Sequence, residues 1–198
     1  MKNFIPFLQP ILSTILSLSI STGHTQEFTP PEGKLAASYF QSVRDSFAKS
    51  KSFSGTWVAS TQREALLKTY SEENPQTFIQ GAKAWLDKCP VDAKVHLMLA
   101  NLLIRTGDYQ GGVYHRSMFY GLLWSILASG DGKTPQTAFH VIATDEEYTV
   151  LNFMGAKLKK QSLQGENDVM EVEIDGKASV MYFDVSIGLN ALDKELSK

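Results

Sequence analysis

Between Val169 and Val185 two alternating runs flank an Asp-Gly pair, and no other stretch restricts the fold as much. The first run, ending at Ile174, sets Met170, Val172 and Ile174 on one face and Val169, Glu171 and Glu173 on the other. The second, from Ala178, sets Met181, Phe183 and Val185 against Val180, Tyr182 and Asp184. A period of two is that of a strand with one buried face. Asp175-Gly176 between them is the dipeptide of a tight hairpin. A third strand-like run, Lys157 to Leu163, precedes them across a looser turn at Gly165 to Asp168. A sheet built this way is largely antiparallel, and its apolar face needs a cover from elsewhere in the chain.

Upstream, the spacing is helical. From about Leu35, Tyr39, Phe40, Val43 and Phe47 recur three or four apart, with Arg44 and Lys49 toward the other side. Ser50 to Ser60 reads as a connection with a short extended piece at Thr56 to Ala59, and Glu64 to Tyr70 as a short helix. Asn74-Pro75 is a helix start, a capping side chain followed by a proline that needs no donor. Phe78, Ala82, Trp85 and Leu86 mark the face of the helix it opens, which Pro90 ends. Val91 to Arg105 is apolar nearly all round, the pattern of a central helix. Gly107 stops it, and Asp108 caps another reaching Ala128, with Val113, Phe119, Leu122, Leu123, Ile126 and Leu127 as its apolar positions. Further on, Thr137 to Ala143 reads as β, with Phe139 and Val141 alternating against Ala138, His140 and Ile142. Thr144 with Glu147 forms the pattern of a capping box, opening a helix to Met154 that Gly155 closes. Ile187 to Leu196 ends the chain as a short helix. The expected fold is α+β: a helical bundle over 35–128, packed on a small, mostly antiparallel sheet within 137–185.

The first 25 residues carry one cation, Lys2, then an apolar run whose uninterrupted part is Ile11 to Ile20, then small residues. That is the layout of a secretory signal peptide, and it is shorter than the roughly 20 apolar residues of a membrane span. The expected organisation is a signal peptide over 1–25 and one domain over 26–198, periplasmic or extracellular, without stable membrane insertion after cleavage. An uncleaved N-terminus holding an envelope protein near the membrane is the competing reading. Cys89 is the one cysteine, so no internal disulfide is available, and its place beside Pro90 suits a small buried hydrophobe. Net charge is −2. That leaves no basic surplus to neutralise a phosphate backbone, which argues against nucleic acid as the partner. The one dense basic group, Lys157, Lys159 and Lys160, reads as a solvated strand face.

Candidate chemistry is sparse. Gly130-Asp131-Gly132-Lys133 could cradle a phosphate, hold a cation or turn the chain. Gly132-Lys133-Thr134 supplies the end of a P-loop, but the required earlier glycine falls on Leu127, and helix precedes the loop where a strand should. Only Asp131 is there for calcium. The chain-turning account covers every residue: Gly130 in a left-handed helix stop, Asp131-Gly132 as a turn, Pro135 barring further helix. An anion held by Lys133 and loop amides is the alternative. His96, His115 and His140 share no zinc spacing, so no metal or cofactor is expected, and His96 reads as a satisfied core histidine. His115, with Tyr114, Arg116 and Tyr120 as neighbours, is the candidate general base. It would need a carboxylate such as Asp131 or Glu146, and no nucleophile motif accompanies it. The catalytic candidates are therefore His115, Arg116, Asp131 and Glu146, and the binding candidates are Lys133, Tyr120 and Tyr148. The leading expectation is a non-enzymatic module binding a protein or small molecule in a groove between helices and sheet; the alternative is a hydrolase-like enzyme built on His115.

Leu99, Ala100, Leu103, Gly107, Asp108 and Tyr109, with Gly112 at a small-residue position, resemble the first helix and turn of a tetratricopeptide repeat. Arg116, Phe119 and Trp124 depart from that motif. About one and a half degenerate units fall short of the roughly three a free solenoid needs, so the helices must cover something else. The string Gly121-Leu122-Leu123, Ser125-Ile126, Ser129 to Lys133, Thr137-Ala138-Phe139, Glu146-Glu147-Tyr148, Gln161-Ser162-Leu163 and Tyr182-Phe183-Asp184 resembles a family of small exported bacterial proteins described as a domain of unknown function. That resemblance covers Phe78 to Leu192 and implies export and a shared fold, with no activity, cofactor or site residues.

Overall fold

The computed structural model describes residues 34–197; the signal-like segment, His24 and the turn at Thr29 to Gly33 lie outside them. The alternating runs form β2 (Lys157–Gln164), β3 (Asn167–Ile174) and β4 (Lys177–Asp184), an antiparallel meander. A two-residue strand β1 (Phe139–His140) adds to β4 in parallel, giving the order β1-β4-β3-β2. Asp175 and Gly176 both take positive φ, 51° and 75°, the hairpin turn whose twist matches its strands. The Gly165 turn is tighter than its sequence indicates. Gly165 takes φ 62° in the first turn position, so Gln164 pairs directly with Asn167 and the strand starts two residues early.

Seven helices accompany the sheet among the described residues: α1 (Lys34–Ala48), α2 (Thr61–Lys68), α3 (Gln76–Leu86), α4 (Ala93–Arg105), α5 (Tyr109–Leu127), α6 (Thr144–Phe153) and α7 (Ser186–Leu196). Asp92 and Asp108 cap α4 and α5 by accepting from Val95 N and Gly111 N. These two helices approach tightly where α5 has no side chain: a Cβ on Gly112 would lie 2.4 Å from Ile104 Cγ1. Gly121 likewise makes room for the Phe40 ring of α1. One apolar cluster runs from Phe40 and Phe78 through Leu99, Leu122 and Ile126 to Phe139, Met170 and Phe183, so the helical half covers the sheet as the sequence predicts. No described helix is long and apolar enough to cross a membrane.

Local readings fail where tertiary contacts override pattern. Arg44, expected toward solvent, is 0% exposed. Trp57–Ala59 is a 3₁₀ turn rather than an extended piece, because Trp57 folds inward onto Phe47 and Trp85. Asn74 does not cap α3; Pro75 holds that position with no side-chain bond, while the Asn74 backbone N–H is taken by Ser71 Oγ at 3.1 Å. α4 is not buried all round, since Lys94, Asn101 and Arg105 are exposed. Residues 137–143 do not alternate: Ala138, Phe139, Val141 and Ile142 are all buried, with β1 the only strand there.

The reason is the Gly130 loop. Asp131 N and Gly132 N both donate to Thr137 O, and Tyr182 N donates to Gly132 O, so this loop continues along the edge of β4 where a longer β1 would run. Pro135 opens a 3₁₀ turn capped by Thr134, instead of only ending a helix. The left-handed glycine is Gly132, at φ 66°. Gly130 is needed for another reason: a Cβ there would lie 2.4 Å from Thr137 O and 2.5 Å from Ala138 O. Backbone carbonyls tied into a turn cannot retreat, so Gly130→Ala is expected to cost about 2 kcal/mol. Thermal unfolding checks this as a Tm lower by about 4–8 °C.

Candidate functional site

The first turn of α6 commits four consecutive side chains to four different places. Asp145 turns to α2, where Arg63 Nη2 donates to its Oδ2 at 2.7 Å. Glu146 turns to α1 and receives a bidentate bond from Arg44, Nε to Oε1 at 2.9 Å and Nη2 to Oε2 at 2.7 Å. Its Oε2 also accepts Ile142 N at 2.8 Å, so the helix start is held by Glu146 and not by the expected Thr144–Glu147 box. Glu147 points inward and is 0% exposed, with no hydrogen bond of ordinary geometry on either oxygen. Burial pushes its carboxyl up to about 9, and the negative charges of Asp168 and Glu146 add to this. Tyr148 turns to the sheet, its hydroxyl donating to Gln161 Oε1 at 3.0 Å, while Gln161 Nε2 donates to Asp168 Oδ2.

Arg63 is the hub. Nε and Nη2 grip both oxygens of Asp92, Nη1 donates to Val58 O, and the guanidinium lies 5.7 Å from the centre of the Trp57 ring. Burial works against its charge, but the carboxylates of Asp92 and Asp145 outweigh that and hold its pKa above the ordinary value. Asp92 also accepts Trp85 Nε1 at 2.8 Å while capping α4. Thus α1 and α2 are clasped to the same turn of α6 by charge-assisted bonds whose directions fix both helices.

Asp145 is the member of this network that reaches solvent, 27% exposed. It belongs to one α6 face, with Tyr148, Thr149, Asn152 and Phe153, which borders a cleft of about 300 Å³ closed by Lys94 and Leu97 of α4 and Phe119 of α5. Trp124 stands edge-on to Phe153, ring centres 6.0 Å apart. The cleft thus offers aromatic and aliphatic surface, an amide, a hydroxyl, an immobilised carboxylate and one ammonium. It lies between helices, not between helices and sheet. A wider hollow of about 400 Å³ near Ser42, Ser50, Asp87 and Lys88 lacks such a fixed charge.

Of the sequence candidates, Tyr148 lines the cleft; Tyr120 and Lys133 do not. Lys133 spends its ammonium on Asp131 at 3.0 Å, while the Thr137 hydroxyl and the Lys133 groups hold the Asp131 carboxyl down at about 2. Arg116 donates to Asn101 Oδ1. Glu146 belongs to Arg44, and His115 faces His96 with Nδ1 atoms 2.9 Å apart. The four catalytic candidates therefore make their hydrogen bonds in separate places. Cys89 is buried, which pushes its thiol up to about 11. His140 is exposed on β1, 3.9 Å from the Asp184 carboxylate. Lys159 and Lys160 pair with Glu173 and Glu171 across the strands. Sequence reasoning missed Arg44, Arg63, Asp92 and the joining of His96 to His115.

Fold and site together define an α+β protein in which buried arginine–carboxylate ties fasten α1 and α2 to the start of α6, one of them at the rim of a helix-lined cleft. The chain belongs to the family described as a domain of unknown function (DUF4919), which it matches over residues 45–194. No curated protein and no solved structure matches it significantly.

Proposed function

We propose that this is an exported binding protein that holds a small amphipathic ligand, or the side chain of a peptide, in the α4–α5–α6 cleft. The supporting observation is the cleft's make-up: Phe119, Tyr148 and Phe153 around a carboxylate that Arg63 keeps from moving. Preformed pockets of mostly apolar lining with a few fixed polar groups are the usual small-molecule sites. Export rests on the three-part N-terminus, with 1–25 removed and 26–198 forming the mature domain. N-terminal sequencing of the protein recovered from periplasm or medium should place the cleavage near Gly23 to Thr25, with the chain beginning at about Gln26; a start at Met1 overturns export. Native mass spectrometry of the same material should show a bound mass that Phe153→Asp loses. A bare chain, or a bound mass indifferent to Phe153→Asp, overturns the cleft as its site. Trp124 provides a second readout, since Trp57 and Trp85 are buried and it is not.

A further inference from the structure

Resting on the binding role given to the α4–α5–α6 cleft, we propose that its ligand is a zwitterion: a free α-amino acid with an aromatic or long aliphatic side chain, its ammonium on Asp145 and its carboxylate on Lys94. One guanidinium, Arg63, faces two carboxylates, Asp92 and Asp145, so the trio carries one surplus negative charge. The Arg63 and Asp92 side chains are 4% and 1% exposed and that of Asp145 is 27% exposed, so the surplus meets solvent at Asp145. Arg63 takes Oδ2 of that carboxylate, and Oδ1 accepts no hydrogen bond among the described residues. An anion held in place with an oxygen to spare is a preorganised acceptor for an ammonium group.

Lys94 supplies the opposite charge. It is exposed, borders the same cleft and makes no ion pair among the described residues. Asp92 caps α4, Asp145 lies in the first turn of α6, and Arg63 grips both, so the two helices start beside each other. Lys94, in that first turn of α4, stands at the end of the cleft that holds Asp145. The two charges are more than 4.0 Å apart, so neither neutralises the other by contact. Farther along, the lining turns apolar. Phe153 follows Asp145 by more than two turns of α6, about 12 Å at 1.5 Å per residue, with Tyr148 between them and Phe119 contributed by α5. An α-amino acid has the same layout, two opposite charges at one end and a side chain at the other. A lone amine would leave Lys94 without a partner, and a lone carboxylate would leave Asp145 without one. A volume of about 300 Å³ is at the small end of ligand sites and suits a compact molecule.

Isothermal titration calorimetry of the full chain with four probes of one shape tests this: L-phenylalanine, its methyl ester (ammonium only), N-acetyl-L-phenylalanine (carboxylate only) and N-acetyl-L-phenylalaninamide (neither). L-phenylalanine should bind about tenfold or more tightly than either singly charged probe, the effect of one charge-assisted bond. Asp145→Asn should abolish its advantage over the N-acetyl acid, and Lys94→Gln its advantage over the ester. Asp145→Asn keeps the Arg63–Asp92 pair and Lys94 is exposed, so both variants should fold, which circular dichroism checks. Equal affinity for all four probes overturns the zwitterion while leaving an apolar ligand in the cleft. Tighter binding of a singly charged probe, a preference for L-phenylalanine that both variants retain, or binding of no probe overturns it as well. Whether the cleft binds anything is read separately, from the native bound mass and its loss in Phe153→Asp.

Discussion

Arg63→Met is expected to destabilise the protein by about 3–5 kcal/mol, because it strands a buried carboxylate. Asp92 is 1% exposed and loses two of the four hydrogen bonds it accepts, keeping only those from Trp85 Nε1 and Val95 N. Asp145 loses its Arg63 partner too, but its 27% exposure lets water replace the bond. Urea unfolding should show the loss as a lower midpoint. Asp145→Asn, which leaves the Arg63–Asp92 pair intact, should cost about 1 kcal/mol or less. Arg63→Met with Asp92→Asn should recover part of the loss, since the unpaired charge and not the missing bonds carries most of the penalty. Equal costs for Arg63→Met and Asp145→Asn would mean that Arg63 acts through Asp145 alone. Arg63→Met also frees the Asp145 carboxylate from its fixed position, so the binding proposed for the cleft should weaken with it even where the fold survives.

That hub could not be found by periodicity. A helical pattern assigns an isolated arginine to solvent, and Arg44 and Arg63 obey the pattern locally while violating it globally. Their partners lie 102 and 82 residues away in the chain, at Glu146 and Asp145. Nothing in one sequence links such positions. The meander was legible because a period of two and an Asp-Gly pair are local facts, and so was α5, whose cap is its own Asp108. The Thr144–Glu147 string was misleading for the opposite reason: the pattern of a capping box was present, but burial of Glu147 decided its use. The histidine pair did leave a signal. If Gly107 reverses α4 into α5, residues 96 and 115 fall about opposite each other, as Ala100 and Gly112 do. Reading the histidines by zinc spacing instead of by hairpin register hid this. The cleft was half legible: positions 145, 148, 149, 152 and 153 share one helix face, but only the fold shows that α4 and α5 leave that face partly uncovered.

Glu147→Gln should stabilise the protein at neutral pH, and the gain should vanish in acid. The carboxyl titrates at about 9 in the folded chain against 4.5 for an ordinary glutamate, first because it is buried, then because Asp168 and Glu146 are negative beside it. Below pH 4.5 both folded and unfolded chains carry the proton, and the residue costs nothing through ionisation. As pH rises toward 9 the unfolded chain ionises while the folded one must keep its proton, so stability falls by about 1.4 kcal/mol per pH unit. By pH 7 the penalty reaches roughly 3 kcal/mol, an upper bound that local relaxation reduces. Glutamine has the same shape, never ionises, and offers Asp168 an amide N–H where an ionised glutamate would repel it. Urea unfolding of both proteins from pH 4 to 9 should give curves that meet at the acid end and diverge steadily above it. Parallel curves would show that Glu147 titrates as an ordinary carboxyl, and a Gln variant less stable throughout would show that the acid makes a bond the amide cannot. With divergent curves, the natural residue weakens the fold under neutral conditions.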